Sequence, residues 1–527
     1  MVAVQKSDDE NEKLTEVDFE TAIDLSGFGL FNLICLLVAI PAKFGEIFET
    51  TTMSYILPIA ECDLKLTLLN KGVLNAMSYG GMVVSAMMWG FIGDKYGRKK
   101  LLIFGYLANM VCVFCSSLSQ TFEMLAVFKF LGGFIVNGPG AALFTYITEV
   151  HGKKYRSRVL MVMGIIIALS NIAMPCLSLA IFPRDWNFVF FGSFNVHSWQ
   201  IFLAVCSLPC LISGLLFTLM PESPKFLMAK GRNEEALNLL QNIYHTNTRK
   251  PKETYPVKSL VEEVPNSDES SNRYNPNSKD KGILQALRVG FYQVRPMFHK
   301  PLLRHSIHVN TMQFLLFFGL NTIRLWLPQL FSSIAEYESL HQNTDGSANM
   351  CKVLEFNVNK TAAVLEHTGT CETTPDISLD MYINNIIVAF VTMTAFLFAA
   401  GVVNLLTPKI LLSICLTISG TIGISLYWSS TGLSTLIIVC GFMGATSICT
   451  SALMSIVVTL FPTSLRTLAV ATAMMFGRLG TFCGNMLFPV LVQLGCYPPF
   501  LAIGCVLYCA YIIVNIQFNS FYNFNLK

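Results

Sequence analysis

Long apolar stretches alternate with short polar turns along most of the chain. Each stretch is long enough to cross the hydrocarbon core of a bilayer, about 30 Å, as an α-helix. The pattern predicts about twelve spans, which we place at 28–60, 69–91, 100–119, 122–149, 158–182, 199–220, 306–331, 381–406, 409–428, 434–460, 467–493 and 498–518. The predicted fold class is therefore an all-α membrane protein with about twelve transmembrane helices in two six-helix bundles.

Positive charge is concentrated in alternate turns, which predicts the orientation of the spans. Basic residues crowd the turns after the second and fourth spans: Lys95, Arg98, Lys99, Lys100, Lys153, Lys154, Arg156 and Arg158. The turns on the other side carry few. We therefore expect the basic turns and both termini to lie in the cytosol. The polar first residues contain no apolar run before a small-residue cleavage site, so we expect no cleavable signal peptide.

Polar segments divide the chain into five predicted parts. The segment between the bundles has flanking amphipathic pieces, and its middle is too poor in apolar residues to fold alone. The parts are a cytosolic N-terminal tail (1–27), a six-helix bundle (28–220), a cytosolic linker with amphipathic helices and a disordered middle (221–305), a second six-helix bundle (306–518) and a cytosolic C-terminal tail (519–527).

A large polar loop at about 332–380 interrupts the second bundle and is predicted to lie outside the cytosol. It contains Asn359, the acceptor of the only N-x-[ST] sequence in the chain, so we expect a glycan there. Cys351 and Cys371 flank this residue, and a disulfide between them would close a loop around the glycan. Two alternatives remain open, free thiols or pairing with another external cysteine, Cys62 or Cys496.

Composition agrees with a membrane protein and excludes several other classes. Hydrophobic residues make up 53%, charged residues 13%, and the mean hydropathy is +0.54. The net charge of +3 is too small to indicate nucleic-acid binding. No cysteine spacing resembles a zinc or haem site, and no phosphate-binding loop is present, so we expect no metal, no cofactor and no enzymatic activity.

Three charged residues in the first span carry the strongest functional signal. Lys43, Glu46 and Glu49 are spaced three apart, so they lie on neighbouring turns of one helix face. A charge in the bilayer centre costs roughly 2.5–3.5 kcal/mol on insertion scales, so such residues face a protein interior or a wet cavity. In an alternative, structural interpretation, Lys43 and Glu46 neutralise each other, which leaves Glu49 without a partner.

We expect a central site between the two bundles. Arg324 and Arg478 are the only arginines deep within apolar runs, so each should meet a carboxylate or an anionic ligand. Either Glu46 or Glu49 binds and releases protons, or a static Glu–Arg bridge joins the bundles. Lys129 either reaches the cavity or extends towards a helix end. The predicted substrate- or proton-binding residues are Lys43, Glu46, Glu49, Asn321, Arg324, Trp326, Arg478 and Asn485.

The turn after the second span has a recognisable pattern, Gly90-Phe91-Ile92-Gly93-Asp94-Lys95-Tyr96-Gly97-Arg98-Lys99-Lys100. It resembles the signature G-x-x-x-D-x-x-G-R-[RK]-[RK] of the major facilitator superfamily. Pro221-Glu222-Ser223-Pro224-Lys225 resembles the P-E-S-P-[RK] element of its sugar and organic-ion porters, and Glu149 with Arg156 resembles their fourth-span pair. Glu46 and Glu49 ahead of Tyr55-Ile56-Leu57-Pro58, with Leu325-Trp326-Leu327-Pro328, resemble the synaptic vesicle glycoprotein 2 branch.

This resemblance implies alternating access, in which two pseudo-symmetric bundles rock about a central site. Asp94 and Arg98 should bond to Glu149, Arg158 and the N-terminal end of the helix starting near Thr467, closing the cytosolic side. Thr459 stands where the second-half acid is usual, so the first half should supply most of this latch. The gating residues that we expect are Gly90, Asp94, Gly97, Arg98, Glu149, Arg156, Arg158, Glu222 and Arg466.

The leading functional hypothesis is a secondary active transporter of a small polar or ionic organic solute, either with or without proton coupling. Both charge signs occur in the expected site, so the charge of the solute stays open. The alternative is a transport-inactive membrane protein that acts as a receptor, scaffold or vesicle-trafficking factor. We expect a monomeric transport unit in the lipid bilayer of the plasma membrane or of an intracellular vesicle, with no nucleic-acid partner.

Overall fold

The computed structural model describes residues 16–184, 186, 188–190, 194–261, 297, 299, 302–340, 349–365, 379–402, 407–461 and 465–525. The first half contains a short helix and then six long ones: α1 (Phe19–Leu25), α2 (Leu30–Ile56), α3 (Leu68–Tyr96), α4 (Arg98–Ser117), α5 (Phe122–Glu149), α6 (Lys153–Ile181) and α7 (Ser198–Leu219). A small antiparallel hairpin, β1 (Phe188–Phe190) with β2 (Phe194–Val196), lies between α6 and α7 and pairs Phe188 with Val196.

Two short helices follow in the linker, α8 (Pro224–Ala229) and α9 (Asn233–Thr248), and the second half comes after them. Its helices are α10 (Leu302–Leu340), α11 (Met350–Leu365), α12 (Leu379–Val402), α13 (Pro408–Ser425), α14 (Gly432–Leu460), α15 (Arg466–Gln493) and α16 (Tyr497–Asn525). The predicted disordered middle of the linker, near 262–296, lies outside the described residues.

The helices confirm the predicted all-α membrane fold, since each of the twelve predicted spans coincides with a long helix. Within the described part of the chain, eleven helices are long and apolar enough to cross a membrane. The remaining predicted span is α3, which has the length, 29 residues, but includes polar positions such as Asn70, Lys71 and Asn75. Helix also extends into the predicted polar loop, because α10 continues to Leu340 and α11 covers 350–365.

The bundle has two ends, which we name after the residues found there. At the Gly97 end, α3 passes into α4 through Gly97, whose φ of +96° lies in a region that residues other than glycine rarely adopt. At the Cys351 end, α11 lies against the turn after α13, where the Met350 amide donates to the Ser429 carbonyl at 3.0 Å. The long helices run alternately from one end to the other.

The two halves pack against each other mainly through three helix pairs, α2 with α10, α3 with α15, and α6 with α12. Several close contacts lie towards the Cys351 end. A Cβ on Gly72 of α3 would approach Pro489 of α15 to 2.6 Å, and the Phe182 and Tyr382 rings lie 6.4 Å apart between α6 and α12. The halves are therefore packed together at the Cys351 end.

Glycines also allow an unusually close approach of α3 and α5 inside the first half. A Cβ on Gly81 would lie 2.6 Å from the Phe134 nitrogen and closer still to the Phe130 carbonyl oxygen. On the facing helix, a Cβ on Gly133 would meet the Ser78 backbone. Side chains larger than hydrogen cannot fit at this crossing without moving a backbone.

The N-terminal segment and the start of the linker form one layer on the first half. Val17 pairs with Leu260 in an isolated parallel bridge, and the Tyr255 hydroxyl donates to the Ala22 carbonyl at 2.6 Å. Asn247 of α9 donates to the carbonyls of Ser26 and Gly27. Residues predicted as a tail are therefore attached to the linker and to α2.

Candidate functional site

The charged face of α2 divides into two separate ion pairs. Lys43 bonds to Glu46 within the same helix, and its ammonium lies 4.0 Å from the centre of the Phe144 ring on α5. The Lys43 side chain is 1% exposed, whereas 18% of the Glu46 side chain is exposed. Of the two residues, Glu46 is thus the one with access to the space outside the first half.

Glu49 is held entirely inside the first half by Lys129 of α5. The Lys129 ammonium lies 3.2 Å from a Glu49 carboxylate oxygen, and each side chain is 1% exposed. The Ser78 hydroxyl donates to the same carboxylate at 2.9 Å, and Lys129 also donates to the Thr52 hydroxyl at 2.9 Å. The predicted pairing of Lys43 with Glu46 is confirmed. Glu49 is not left without a partner, because its partner, Lys129, comes from another helix. Lys129 neither lines a cavity nor extends to a helix end.

Arg478 of α15 joins the second half to the first at mid-height. Its guanidinium donates to the Asn137 side-chain oxygen on α5, and Glu46 is close enough to interact with its charge. Arg478 is only half-buried by surface area. We call Lys43, Glu46, Asn137 and Arg478 the central level. Asn137 was missed from the sequence, although a lone amide in an apolar span was a signal for it.

Arg324 lies at a different height from Arg478. Gly477 faces Gln313 and Phe317 of α10, so Arg324 is nearer the Cys351 end than Arg478 by about 10 Å at 1.5 Å per helical residue. Tyr55 of α2 interacts with the Arg324 charge, and the buried Arg324 Nε has no hydrogen-bond partner among the described residues. The two arginines predicted to share one site therefore occupy two levels.

The other predicted central residues lie within the second half. Asn321 donates to the Thr481 hydroxyl at 2.9 Å, and Asn485 donates to the Thr481 carbonyl at 2.8 Å, so both connect to α15 itself. Trp326 is buried against the Phe488 ring, with 4.9 Å between ring centres. The Asn321 and Trp326 contacts lie in the packing between α10 and α15, and the Asn485 bond stays within α15. None of these contacts is with Arg478.

A compact ionic cluster occupies the Gly97 end. Arg98 forms an ion pair with Glu149 at 3.3 Å, and the Ser223 hydroxyl donates to Glu149 at 2.5 Å. Glu222 accepts from the backbone amides of Arg98 and Lys99 at 3.0 and 2.9 Å, which places a carboxylate at the N-terminus of α4. These contacts all lie within the first half and its linker, so they fix the α3–α4 turn.

The remaining predicted gating residues are arranged less tightly. Arg156 binds Glu20 of α1 at 2.9 Å and the carbonyls of Thr148 and His151. Arg158 is exposed, Arg466 is half-buried, and a Cβ on Gly90 would touch nothing within 4 Å. The side chain of Asp94 lies outside the described part of the structure, so its contacts stay a prediction.

His151 lies in the turn between α5 and α6, at the edge of this cluster. Its ring is buried, and its Nδ1 lies 2.7 Å from the Ile147 carbonyl oxygen. Burial lowers the pKa of His151 below its usual value, because an imidazolium would lose its hydration there. The ring therefore favours the neutral form in the folded protein.

At the Cys351 end, the predicted disulfide is corrected. Cys351 is bonded to Cys496, which directly precedes α16, and their Cα atoms lie 5.1 Å apart. Cys62 is also disulfide-bonded, whereas Cys371 lies outside the described residues. The α11 helix brings Cys351 close to the α15–α16 turn, which spacing along the chain could not reveal. Asn359 is exposed on α11.

Comparison with known proteins shows a family, relatives and solved structures to which this chain is similar. The sugar (and other) transporter family matches residues 31–334. Synaptic vesicle glycoprotein 2C of Mus musculus is 28% identical over 67% of this chain and 49% of its own length. Synaptic vesicle glycoprotein 2B of Rattus norvegicus is 31% identical over 46% of this chain and 35% of its own length.

The chain therefore spans about half or less of the length of these curated relatives. The inward-open xylose transporter XylE from E. coli aligns with a TM-score of 0.62 at 16% identity, covering 91% of this chain and 94% of its own. Its partially occluded inward-open conformation aligns with a TM-score of 0.61 at 15% identity, covering 92% and 96%. At this identity, the likeness concerns the fold.

Proposed function

Because the chain belongs to the sugar (and other) transporter family of the major facilitator superfamily, we propose that it is a secondary active transporter. It moves a small polar or ionic organic solute by alternating access. The observation that carries this proposal is the central level, where Arg478 of the second half bonds to Asn137 of the first half beside Glu46. Charged groups from both halves thus meet at membrane depth, where solute sites of secondary transporters lie.

The contacts between the halves support a state that is closed at the Cys351 end. We place the Gly97 end in the cytosol, because the basic turns lie there. In that orientation the described state is closed to the exterior or to the vesicle lumen. Opening to that side requires α3 to separate from α15, which moves Gly72 away from Pro489 and Gly80 away from the Phe482 ring.

The ionic cluster at the Gly97 end is the proposed cytosolic latch. Arg98, Glu149, Ser223 and Glu222 hold the α3–α4 turn in one conformation, ready for Asp94 to engage the second half. Asp94→Asn should therefore weaken closure of the cytosolic side and favour the inward-open state. Labelling of cysteines introduced on that side should increase in the variant. Unchanged labelling would remove Asp94 from the latch.

If transport is proton-coupled, Glu46 is the better candidate for the coupling carboxylate. Its side chain is partly exposed and interacts with Arg478, whereas Glu49 is enclosed by Lys129 and Ser78. A carboxylate that exchanges protons during transport needs such access. Glu46→Gln should abolish the dependence of uptake on a pH gradient while preserving exchange. If no Glu46 variant loses the pH dependence of uptake, another residue carries the proton coupling.

The test of the proposed function is uptake by purified protein in liposomes, with and without a pH gradient. A panel of labelled sugars, organic acids and organic cations covers the solute classes. Solute accumulation above protein-free liposomes is expected for one class. Glu235→Gln, an exposed change in α9, is the matched control and should transport normally. Absence of flux for the whole panel would instead favour a receptor, scaffold or vesicle-trafficking role.

A further inference from the structure

The membrane-embedded part of the second half carries positive charge with no acid to balance it. Between 302 and 335, and again from 381 to the end of the chain, the sequence contains no Asp or Glu. The same segments contain Arg324 and Arg478 deep within α10 and α15. Arginine keeps its positive charge inside proteins, so a counter-charge must come from elsewhere.

The first half offers no spare carboxylate at these depths in α2. Glu46 is already bonded to Lys43, and Glu49 is already bonded to Lys129. The central level thus combines two cations, Lys43 and Arg478, with one carboxylate, Glu46. The residue that bonds to Arg478, Asn137, has a neutral amide side chain. One positive charge at this level is left without a negative partner.

Building on the proposed function, we propose that the solute is an organic oxyanion, such as a carboxylate or an organic phosphate, and that Arg478 binds its negative group. The guanidinium releases the Asn137 amide and takes the oxyanion instead. The exchange is favourable because a charge-assisted, bidentate pair is stronger than a hydrogen bond to a neutral oxygen. Asn137 keeps the guanidinium hydrogen-bonded when no solute is present.

Arg324 extends the same charge pattern towards the Cys351 end. It lies about 10 Å further along α10, beside Tyr55, and its Nε has no hydrogen-bond partner among the described residues. The described interior therefore presents two cationic positions in sequence to an anion that crosses the protein. A cationic solute would meet repulsion at both, which argues against the opposite selectivity.

Ligand binding to purified full-length protein tests this inference without requiring transport. The probes are mono- and dicarboxylates and sugar phosphates, each paired with its neutral amide or free sugar, and melting temperature is the readout. We expect oxyanions, and not their neutral partners, to stabilise the wild type. Arg478→Gln should weaken this binding about 10- to 100-fold, and Arg478→Lys should weaken it less. Arg232→Gln, which removes an exposed linker charge, should bind normally.

A second variant keeps the test decisive if Arg478→Gln fails to fold. Asn137→Ala frees the guanidinium from its resting partner, so it should bind oxyanions at least as tightly as the wild type. Equal binding of neutral or cationic solutes, unchanged affinity in Arg478→Gln, or no response to any oxyanion would overturn the inference. Carboxylate and phosphate arms identify the class of oxyanion. Binding without flux in liposomes would refute the transport function but leave the anion site standing, whereas flux of sugars or cations would do the reverse.

Discussion

The buried pair of Glu49 and Lys129 makes a quantitative prediction about stability. At 3.2 Å and an effective dielectric constant of about 20, the attraction between the two charges is about 5 kcal/mol. Removing one partner strands the other charge in a site that is 1% exposed, which typically costs about 3–5 kcal/mol. We therefore expect Glu49→Gln and Lys129→Met each to lower the unfolding free energy by about that amount.

The double variant separates the energy of the ion pair from the effects of replacing each side chain. Glu49→Gln with Lys129→Met leaves no buried charge, so its loss should be smaller than the sum of the two single losses by about 2 kcal/mol or more. Thermal unfolding in detergent, followed by tryptophan fluorescence, compares the stability of the wild type, the two single variants and the double variant. Arg232→Gln, in an exposed pair with Glu235, should leave the melting temperature unchanged. Strictly additive losses would refute the proposed pairing energy.

Three further predictions follow from other parts of the structure. Gly81→Ala should lower the melting temperature sharply because its methyl group meets the α5 backbone, whereas Gly90→Ala, which meets nothing within 4 Å, should raise it slightly. Because burial lowers the pKa of His151, the unfolded chain binds a proton that the folded chain excludes. Stability should therefore fall as pH drops below about 6.5, and it should fall less in His151→Gln. A parallel decline in the wild type and His151→Gln would contradict this. Non-reducing peptide mapping should recover Cys351 linked to Cys496, and breaking that link, which closes a loop of 145 residues, should cost up to about 5 kcal/mol; recovery of a different Cys351 partner would show the linkage to be wrong.

The membrane helices could be predicted from the sequence because apolar length alone decides whether a segment can cross a bilayer. The same argument fails outside the bilayer. The α11 helix and the hairpin of β1 and β2 were missed, since short amphipathic and extended segments carry no comparable length signal. The end of α10 at Leu340 was also missed, because the polar residues after 331 continue the helix beyond the hydrocarbon region.

The candidate site was predictable as a set of residue types but not as a set of contacts. Spacing along α2 correctly placed Lys43 and Glu46 within bonding distance. It could not show that Glu49 faces Lys129, because partners on different helices depend on how those helices pack. The predicted partner of Cys351 was wrong for the same reason, since its actual partner, Cys496, lies 145 residues away and is brought near only by the fold.

The strand bridge between Val17 and Leu260 has a practical consequence for anyone shortening or tagging this protein. A version beginning at Leu30 would expose the Tyr255 hydroxyl and the apolar groove that Phe19 and Ile23 now fill. Shortening of this kind would leave a sticky patch on the first half and favour self-association. A fusion partner placed ahead of Val17 therefore needs a spacer, so that the pairing of Val17 with Leu260 is not disrupted.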